Sequence, residues 1–137
     1  MKLEHEVVIA RPPEDVFDFL ANPENLLLWQ SSLVKLRRID PLSHVEVRAV
    51  LGKKFRQTLE VTTYDPPAQL DYEVIEGPFR ARLSHRLEPV PGGTRVTVVG
   101  EGDPGRLRLG EPVLARVVKR QSKHDFERLK AFLESEE

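Results

Sequence analysis

No cysteine occurs anywhere in the 137 residues. That removes disulfides, thiolate metal sites and cysteine nucleophiles together, and it fits a reducing cytoplasm. Long apolar runs are missing as well. No stretch approaches the ~20 residues a membrane-spanning helix needs. The opening Met1-Lys2-Leu3-Glu4-His5-Glu6 is broken by charge at once, unlike the apolar core of a signal peptide. The expected location is therefore cytoplasmic. Nor is there an excess of either charge: 21 basic side chains face 22 acidic ones. Proteins that grip phosphate backbones carry a clear basic surplus, so nucleic acid is excluded as the default partner. The pairs Gly92-Gly93 and Gly102 to Gly105 read as turns, with neither the helix start nor the Lys-Ser/Thr pair of a phosphate loop. No cofactor is expected. High charge, frequent proline and scarce methionine are compatible with a thermophilic source.

What is present reads as one domain over residues 1–137, without repeat, low-complexity segment or linker. A chain of this length buries roughly 68–70% of its unfolded surface and needs no covalent staple. Leu3, His5, Val7 and Ile9 alternate with mostly charged neighbours, the period of a half-buried strand. Arg11-Pro12-Pro13 ends it, and Pro13-Glu14-Asp15 starts a helix with Val16, Phe17, Phe19 and Leu20 on its apolar face. Asn22 as N-cap and Pro23 at the first position predict a second short helix carrying Leu26, Leu27, Leu28 and Trp29.

From Leu33 to Gly100 the chain is all strand and turn. Leu33 to Ile39 is one strand, closed by Asp40-Pro41. On the next, Val45, Val47, Ala49 and Leu51 form an apolar set opposite Glu46, Arg48 and Val50. Phe55, Gln57, Leu59, Val61 and Thr63, then Leu70, Tyr72 and Val74, then Phe79, Ala81, Leu83, His85 and Leu87, then Val96 and Val98, continue the alternation. Turns at Gly52-Lys53, Asp65-Pro66-Pro67, Gly77-Pro78 and Pro91-Gly92-Gly93 are short, which demands antiparallel neighbours. The expectation is a sheet with one apolar face throughout and one charged face. Gly102-Asp103-Pro104-Gly105 reads as a loop, and Leu109 to about Glu134 as one long helix.

That helix is the only element large enough to cover the sheet, and its stripe has a gap. Val113, Leu114, Val117 and Val118 line one half and Phe126, Leu129, Phe132 and Leu133 the other. Between them the inward positions fall at Gln121, Ser122 and Asp125, where a tightly packed helix carries aliphatic residues. Polar residues there predict a space, the mixed lining of a ligand pocket. Local hydrogen bonding at a helix edge explains them equally.

At this point the chain resembles a known group. "IARPPEDVFDFLANPENLLLWQSSLVKLRRID" (Ile9 to Asp40), "DPPAQLDYEV" (Asp65 to Val74), "PGGTRVTVVGEG" (Pro91 to Gly102) and "FERLKAFLE" (Phe126 to Glu134) are similar to the START-like (SRPBCC) superfamily, in particular its small bacterial polyketide cyclase/dehydrase members. The resemblance covers nearly the whole chain, and its motifs are structural. It implies an α+β helix-grip fold: a curved antiparallel seven-stranded sheet wrapped around the C-terminal helix, with two short helices after strand 1 and a deep pocket between sheet and helix. Carriers of lipids and sterols, quinone binders, aromatic polyketide cyclases, hormone receptors and chaperone activators all share that shape, and fold alone does not choose among them.

The expected ligand-binding set is Trp29, Phe55, Gln57, Leu59, Tyr72, Phe79, Leu83, His85, Val98, Val118, Gln121 and Ser122. Trp29 stands where the resemblance puts an aromatic near the pocket mouth, and it also reads as a core anchor. Imidazole titrates near neutrality, so His85 is a candidate acid or base, and Tyr72 is the other candidate; each also reads as ordinary core with a hydrogen-bonded tip. His5, His44, His85 and His124 are scattered, with no zinc-like spacing, so no metal is expected. Arg56, Arg80, Arg82, Arg86 and Arg95 read as a solvated charged face laced with Glu60, Asp71, Glu73 and Glu88. The leading expectation is noncatalytic binding or carriage of an apolar small molecule: a lipid, isoprenoid or aromatic polyketide-like compound. The alternatives are a cyclase/dehydratase-type enzyme using His85 and Tyr72, and a protein-interaction module presenting the Leu26 to Trp29 cluster. Monomer and homodimer both stay open, as does transient contact with a membrane or protein.

Overall fold

The computed structural model describes residues 2–103 and 111–135. Seven strands form one antiparallel sheet: β1 (Lys2–Ile9), β2 (Leu33–Asp40), β3 (Ser43–Val50), β4 (Lys53–Asp65), β5 (Gln69–Glu76), β6 (Arg80–Val90) and β7 (Gly93–Asp103). Their spatial order is β1-β7-β6-β5-β4-β3-β2, so every neighbour after the first is also the next strand in sequence. Between β1 and β2 lie α1 (Pro13–Ala21), a single turn of 3₁₀ helix (Pro23–Asn25) and α2 (Leu26–Trp29); α3 (Glu111–Ser135) follows β7. Pairing shifts between Leu33 and Lys35, Arg38 and Asp40, Thr58 and Leu59, and Val61 and Thr63 mark bulges on the β2-to-β5 side. Bulges bend and twist a sheet, and this one curves around α3 in the helix-grip arrangement.

Local chemistry explains the turns. Leu51 and Gly52 both have positive φ (51° and 78°), the geometry of a two-residue hairpin between β3 and β4. Gly93 opens β7 where a Cβ would lie 2.0 Å from the carbonyl oxygen of Ile9. Only glycine lets β1 and β7 approach so closely there.

The core lies between α1, α2, the C-terminal half of α3 and the concave face. Ile9, Val16, Phe17, Trp29, Leu70, Val96, Leu129 and Leu133 are essentially inaccessible. Polar bonds reinforce that end. Lys130 Nζ donates to the Val8 carbonyl (2.6 Å), Ala10 N–H donates to Glu134 Oε2 (2.9 Å), and Arg11 Nη1 donates to the Leu133 carbonyl (3.0 Å).

Four sequence expectations are corrected. Asn22 makes no side-chain cap; its Oδ1 accepts from Arg38 Nη2 at 3.0 Å, and Pro23 opens a 3₁₀ turn instead of an α-helix. The Leu26 to Trp29 payload is split: Leu26 and Trp29 are buried, while Leu27 and Leu28 are each 46% exposed. Gly102 and Asp103 belong to β7 and pair with Ala81 and Arg80, so the expected loop does not begin at Gly102; its Pro104 and Gly105 lie outside the described residues. The largest correction concerns β3, whose concave side carries His44, Glu46 and Arg48, so the inner face is not apolar throughout. Val45 and Val47 point to the convex side and stay half-buried there, flanked across the ladders by Arg37 and Thr58, and by Lys35 and Arg56. The long stems of Lys35, Arg37 and Arg56 can cover apolar surface while their charges remain in water.

Candidate functional site

A cavity of about 300 Å³ lies between the concave face and α3. That volume is at the lower bound of ligand pockets, roughly 300–1,000 Å³. Its wall is mostly apolar. Leu3 comes from β1, Leu20 from α1, Leu26 from α2, Phe55 and Leu59 from β4, Leu83 from β6, Val98 from β7, and Val118 and Phe126 from α3. Aromatic rings meet edge to face where Phe55 and Phe79 approach to 4.9 Å, while Trp29 leans on Phe126 at 5.2 Å. Gly100 and Gly102 leave the β7 part of the wall without side chains, which preserves space.

One side of this wall is a closed polar network. Glu46 is 1% exposed, and four N–H groups from three residues converge on it. Arg48 Nε and Gln57 Nε2 both donate to Oε1, and Arg48 Nη2 donates to Oε2 at 3.2 Å. His44 Nε2 stands 3.2 Å from Oε2. An ionised carboxylate only accepts, so that imidazole carries its proton on Nε2. Burial on its own would raise the Glu46 carboxyl; the adjacent Arg48 charge and the bonds from His44, Arg48 and Gln57 outweigh it and hold the pKa at about 2. Arg48 is engaged in turn by Ser32 Oγ (2.8 Å) and by Gln30 Oε1. The loop after α2 thus ties the polar network to the helical layer.

Deeper on the sheet, Tyr72 stands between two imidazoles, its ring 5.9 Å from His44 and 6.0 Å from His85, both edge-on. Burial, and then the nearby Glu46 charge, push the Tyr72 hydroxyl up to about 12. His85 Nδ1 donates to the Leu70 carbonyl at 3.0 Å, which fixes its tautomer and leaves Nε2 a bare acceptor. Burial lowers the pKa of this ring, so it is neutral at physiological pH. On the α3 wall, Asp125 Oδ1 accepts from Ser31 N–H (3.1 Å) and Ser31 Oγ (2.8 Å). Three buried polar atoms of cavity-lining residues have no hydrogen-bond partner among the described residues: His5 Nε2, Trp29 Nε1 and Tyr72 Oη. An unmet buried donor of this kind costs roughly 1–3 kcal/mol.

The family whose model describes polyketide cyclase / dehydrase and lipid transport matches residues 1–134. The chain belongs to that family. Solved structures of the same shape include a START superfamily protein from Mycobacterium smegmatis (TM-score 0.86, 14% identity, covering 98% of this chain and 97% of that one). A conserved protein from Geobacillus kaustophilus gives a TM-score of 0.84 at 19% identity, over 97% and 95% of the two chains. The Zhui aromatase/cyclase of a Streptomyces species gives 0.81 at 18% identity, over 98% and 93%. At these identities the likeness is one of fold. No curated protein matches the sequence.

In this member of the polyketide cyclase / dehydrase and lipid transport family, all residues expected to bind ligand line the cavity: Trp29, Phe55, Gln57, Leu59, Tyr72, Phe79, Leu83, His85, Val98, Val118, Gln121 and Ser122. The sequence reading missed Gln30, Ser32, His44, Glu46 and Arg48, which line it too. A signal for three of them was present. His44, Glu46 and Arg48 recur at every second position of one strand, hence on one face, and their charges compensate one another. Of the arginines expected on the charged face, Arg56, Arg80, Arg82 and Arg86 are exposed, Arg80 also lining the cavity, and Arg95 pairs with Glu6 at 3.0 Å and approaches Glu88 at 4.0 Å. Among the described residues no three His, Asp or Glu side chains gather as a metal ion requires, and no helix is long and apolar enough to cross a membrane.

Proposed function

We propose that the protein binds and carries an apolar small molecule in the cavity between the sheet and α3. One observation carries this reading: a space of about 300 Å³ with a mostly apolar wall is kept open where Gln121 and Ser122 interrupt the apolar stripe of α3. Membership of a family described by lipid transport as well as by cyclase chemistry supports it. A lipid, an isoprenoid or an aromatic polyketide-like compound suits such a wall. The test is native mass spectrometry of the protein purified from its own host, followed by mild extraction. A stoichiometric lipophilic passenger is expected. Failure of the delipidated protein to take up any hydrophobic probe would refute carriage.

A second reading, an enzyme of the cyclase/dehydratase kind, is favoured by one pair of groups. His85 Nε2 is an unprotonated acceptor and Tyr72 Oη a retained proton, their rings 6.0 Å apart on the same wall. A base and an acid so placed suit removal and return of a proton on a bound carbonyl compound. Undiminished turnover in His85→Gln would end that assignment. The interaction-module reading keeps only Leu27 and Leu28 of its cluster, because Leu26 and Trp29 are buried.

A further inference from the structure

We propose that the cavity selects an uncharged molecule bearing a carbonyl or phenolic oxygen, which Tyr72 Oη and Trp29 Nε1 hold, and that it turns away carboxylates. The inference rests on the carriage reading above and names the ligand class for that same site.

Two observations combine. The first is the pair of unmatched donors. Trp29 Nε1 can only donate, and Tyr72 Oη is a hydroxyl; both are buried, both belong to residues that line the cavity, and neither has a hydrogen-bond partner among the described residues. An oxygen with lone pairs, brought in by the ligand, satisfies them; a hydrocarbon does not. Trp29 reaches the cavity from α2 and Tyr72 from β5, so the ligand is gripped from the helical layer and from the sheet.

The second observation concerns charge. Within the wall, Arg48 is matched by Glu46 and further engaged by Ser32 and Gln30. Arg80 lines the cavity too, but it is exposed, so its charge is hydrated. The remaining charge at depth is negative: Asp125 is buried, its Oδ1 accepts from two neutral Ser31 groups, and the exposed His124 Nδ1 stands 3.9 Å from it. A carboxylate buried in this space finds no buried, unmatched Arg or Lys among the described residues, and it approaches Glu46 and Asp125. Burial of an unpaired charge is strongly disfavoured. An uncharged ketone or phenol pays no such penalty.

The test uses three probes on one skeleton with the delipidated full chain: acetylnaphthalene (a ketone), ethylnaphthalene (no oxygen) and naphthoate (a carboxylate). Trp29 is the sole tryptophan of the chain, so its fluorescence reports binding directly. Tyr72→Phe keeps the ring and removes only the hydroxyl. The expected result is that this variant weakens acetylnaphthalene about tenfold relative to ethylnaphthalene, the worth of one hydrogen bond, and that naphthoate binds more weakly than the ketone. Equal changes for ketone and hydrocarbon would overturn the oxygen-recognition inference while leaving carriage standing. Naphthoate binding as tightly as the ketone would overturn the exclusion of carboxylates. Binding of none of the three would overturn both this inference and carriage. A Trp29→Phe variant read by calorimetry with the same probes checks the second donor; an unaltered preference for the ketone would remove Trp29 from the proposal.

Discussion

The C-terminal half of α3 buries Leu129 and Leu133, stacks Phe132 against Phe19 at 5.2 Å, and is bonded through Lys130 to Val8 of β1 and through Glu134 to Ala10 just after it. The N-terminal half leaves Val113 49% exposed, with Val117, Val118, Gln121 and Ser122 half-buried. The same helix therefore closes a core at one end and roofs a cavity at the other. The lesson is a division of labour: apolar burial at the closed end supplies stability, which permits the open end to forgo packing in favour of space for a ligand. Function is drawn from the less stable regions of a fold for this reason.

The sharpest way to break the comparison is a matched pair of truncations. Leu129→Ala opens a void in a region with no freedom to relax, and is expected to cost about 2–5 kcal/mol. Val118→Ala removes two methyl groups that already border a space, and is expected to cost about 1 kcal/mol or less. Urea unfolding of both variants, with unchanged m-values, measures the difference. Equal losses would mean that the open end is packed as firmly as the closed one.

A somewhat smaller effect sharpens the contrast from the polar side of the cavity. Glu46 has a folded pKa of about 2 against an ordinary 4.5, so its stabilisation is complete above about pH 4.5 and is lost as the pH falls from there towards 2. The size is on the order of 3 kcal/mol. His85 begins the same trend at higher pH. Burial depresses its pKa below the usual 6.5, so its contribution is present above that value and declines as acid charges the unfolded ring. Chemical denaturation across this range is expected to show a wild-type acid limb that Glu46→Gln flattens below about pH 4.5. An unchanged limb would mean that the carboxylate is not the anchor of the network.

How much of this was legible in the sequence follows from what alternation can encode. Strand positions, turns and the long helix were readable, because proline, glycine and period-two patterns are local signals. The polar gap at Gln121, Ser122 and Asp125 was readable as well, because all three stand in the gap of a helical stripe. β3 defeated the reading for a physical reason. Both of its faces are acceptable inside: Val45, Val47 and Ala49 by hydrophobicity, and His44, Glu46 and Arg48 because they neutralise one another. What decides is non-local. Gln57 sits opposite Glu46 in the register, and Gln30 and Ser32 arrive from the loop after α2 to satisfy Arg48. Asn22 failed as a cap for a similar reason, since Arg38, sixteen residues on, claims its oxygen.

A smaller change in stability than that of Glu46 comes with the most direct conversion of one region into the other. Ser122→Leu gives the open half of α3 the side chain that the closed half would carry at that height. Ser122 borders the cavity and is half-buried, so leucine there buries further apolar surface, worth about 1 kcal/mol. Serine is also the poorer helix former, which adds a few tenths of a kcal/mol in the same direction. The variant is expected to melt a few degrees higher than the wild type while losing the uptake of acetylnaphthalene, because the new side chain occupies the space the ligand uses. Calorimetric melting and probe fluorescence on one preparation decide it. A gain in stability with loss of binding would establish that the gap in the stripe is retained at the expense of packing. Full binding in a stabilised variant would place the ligand away from this turn of α3, nearer the β3 and β4 wall.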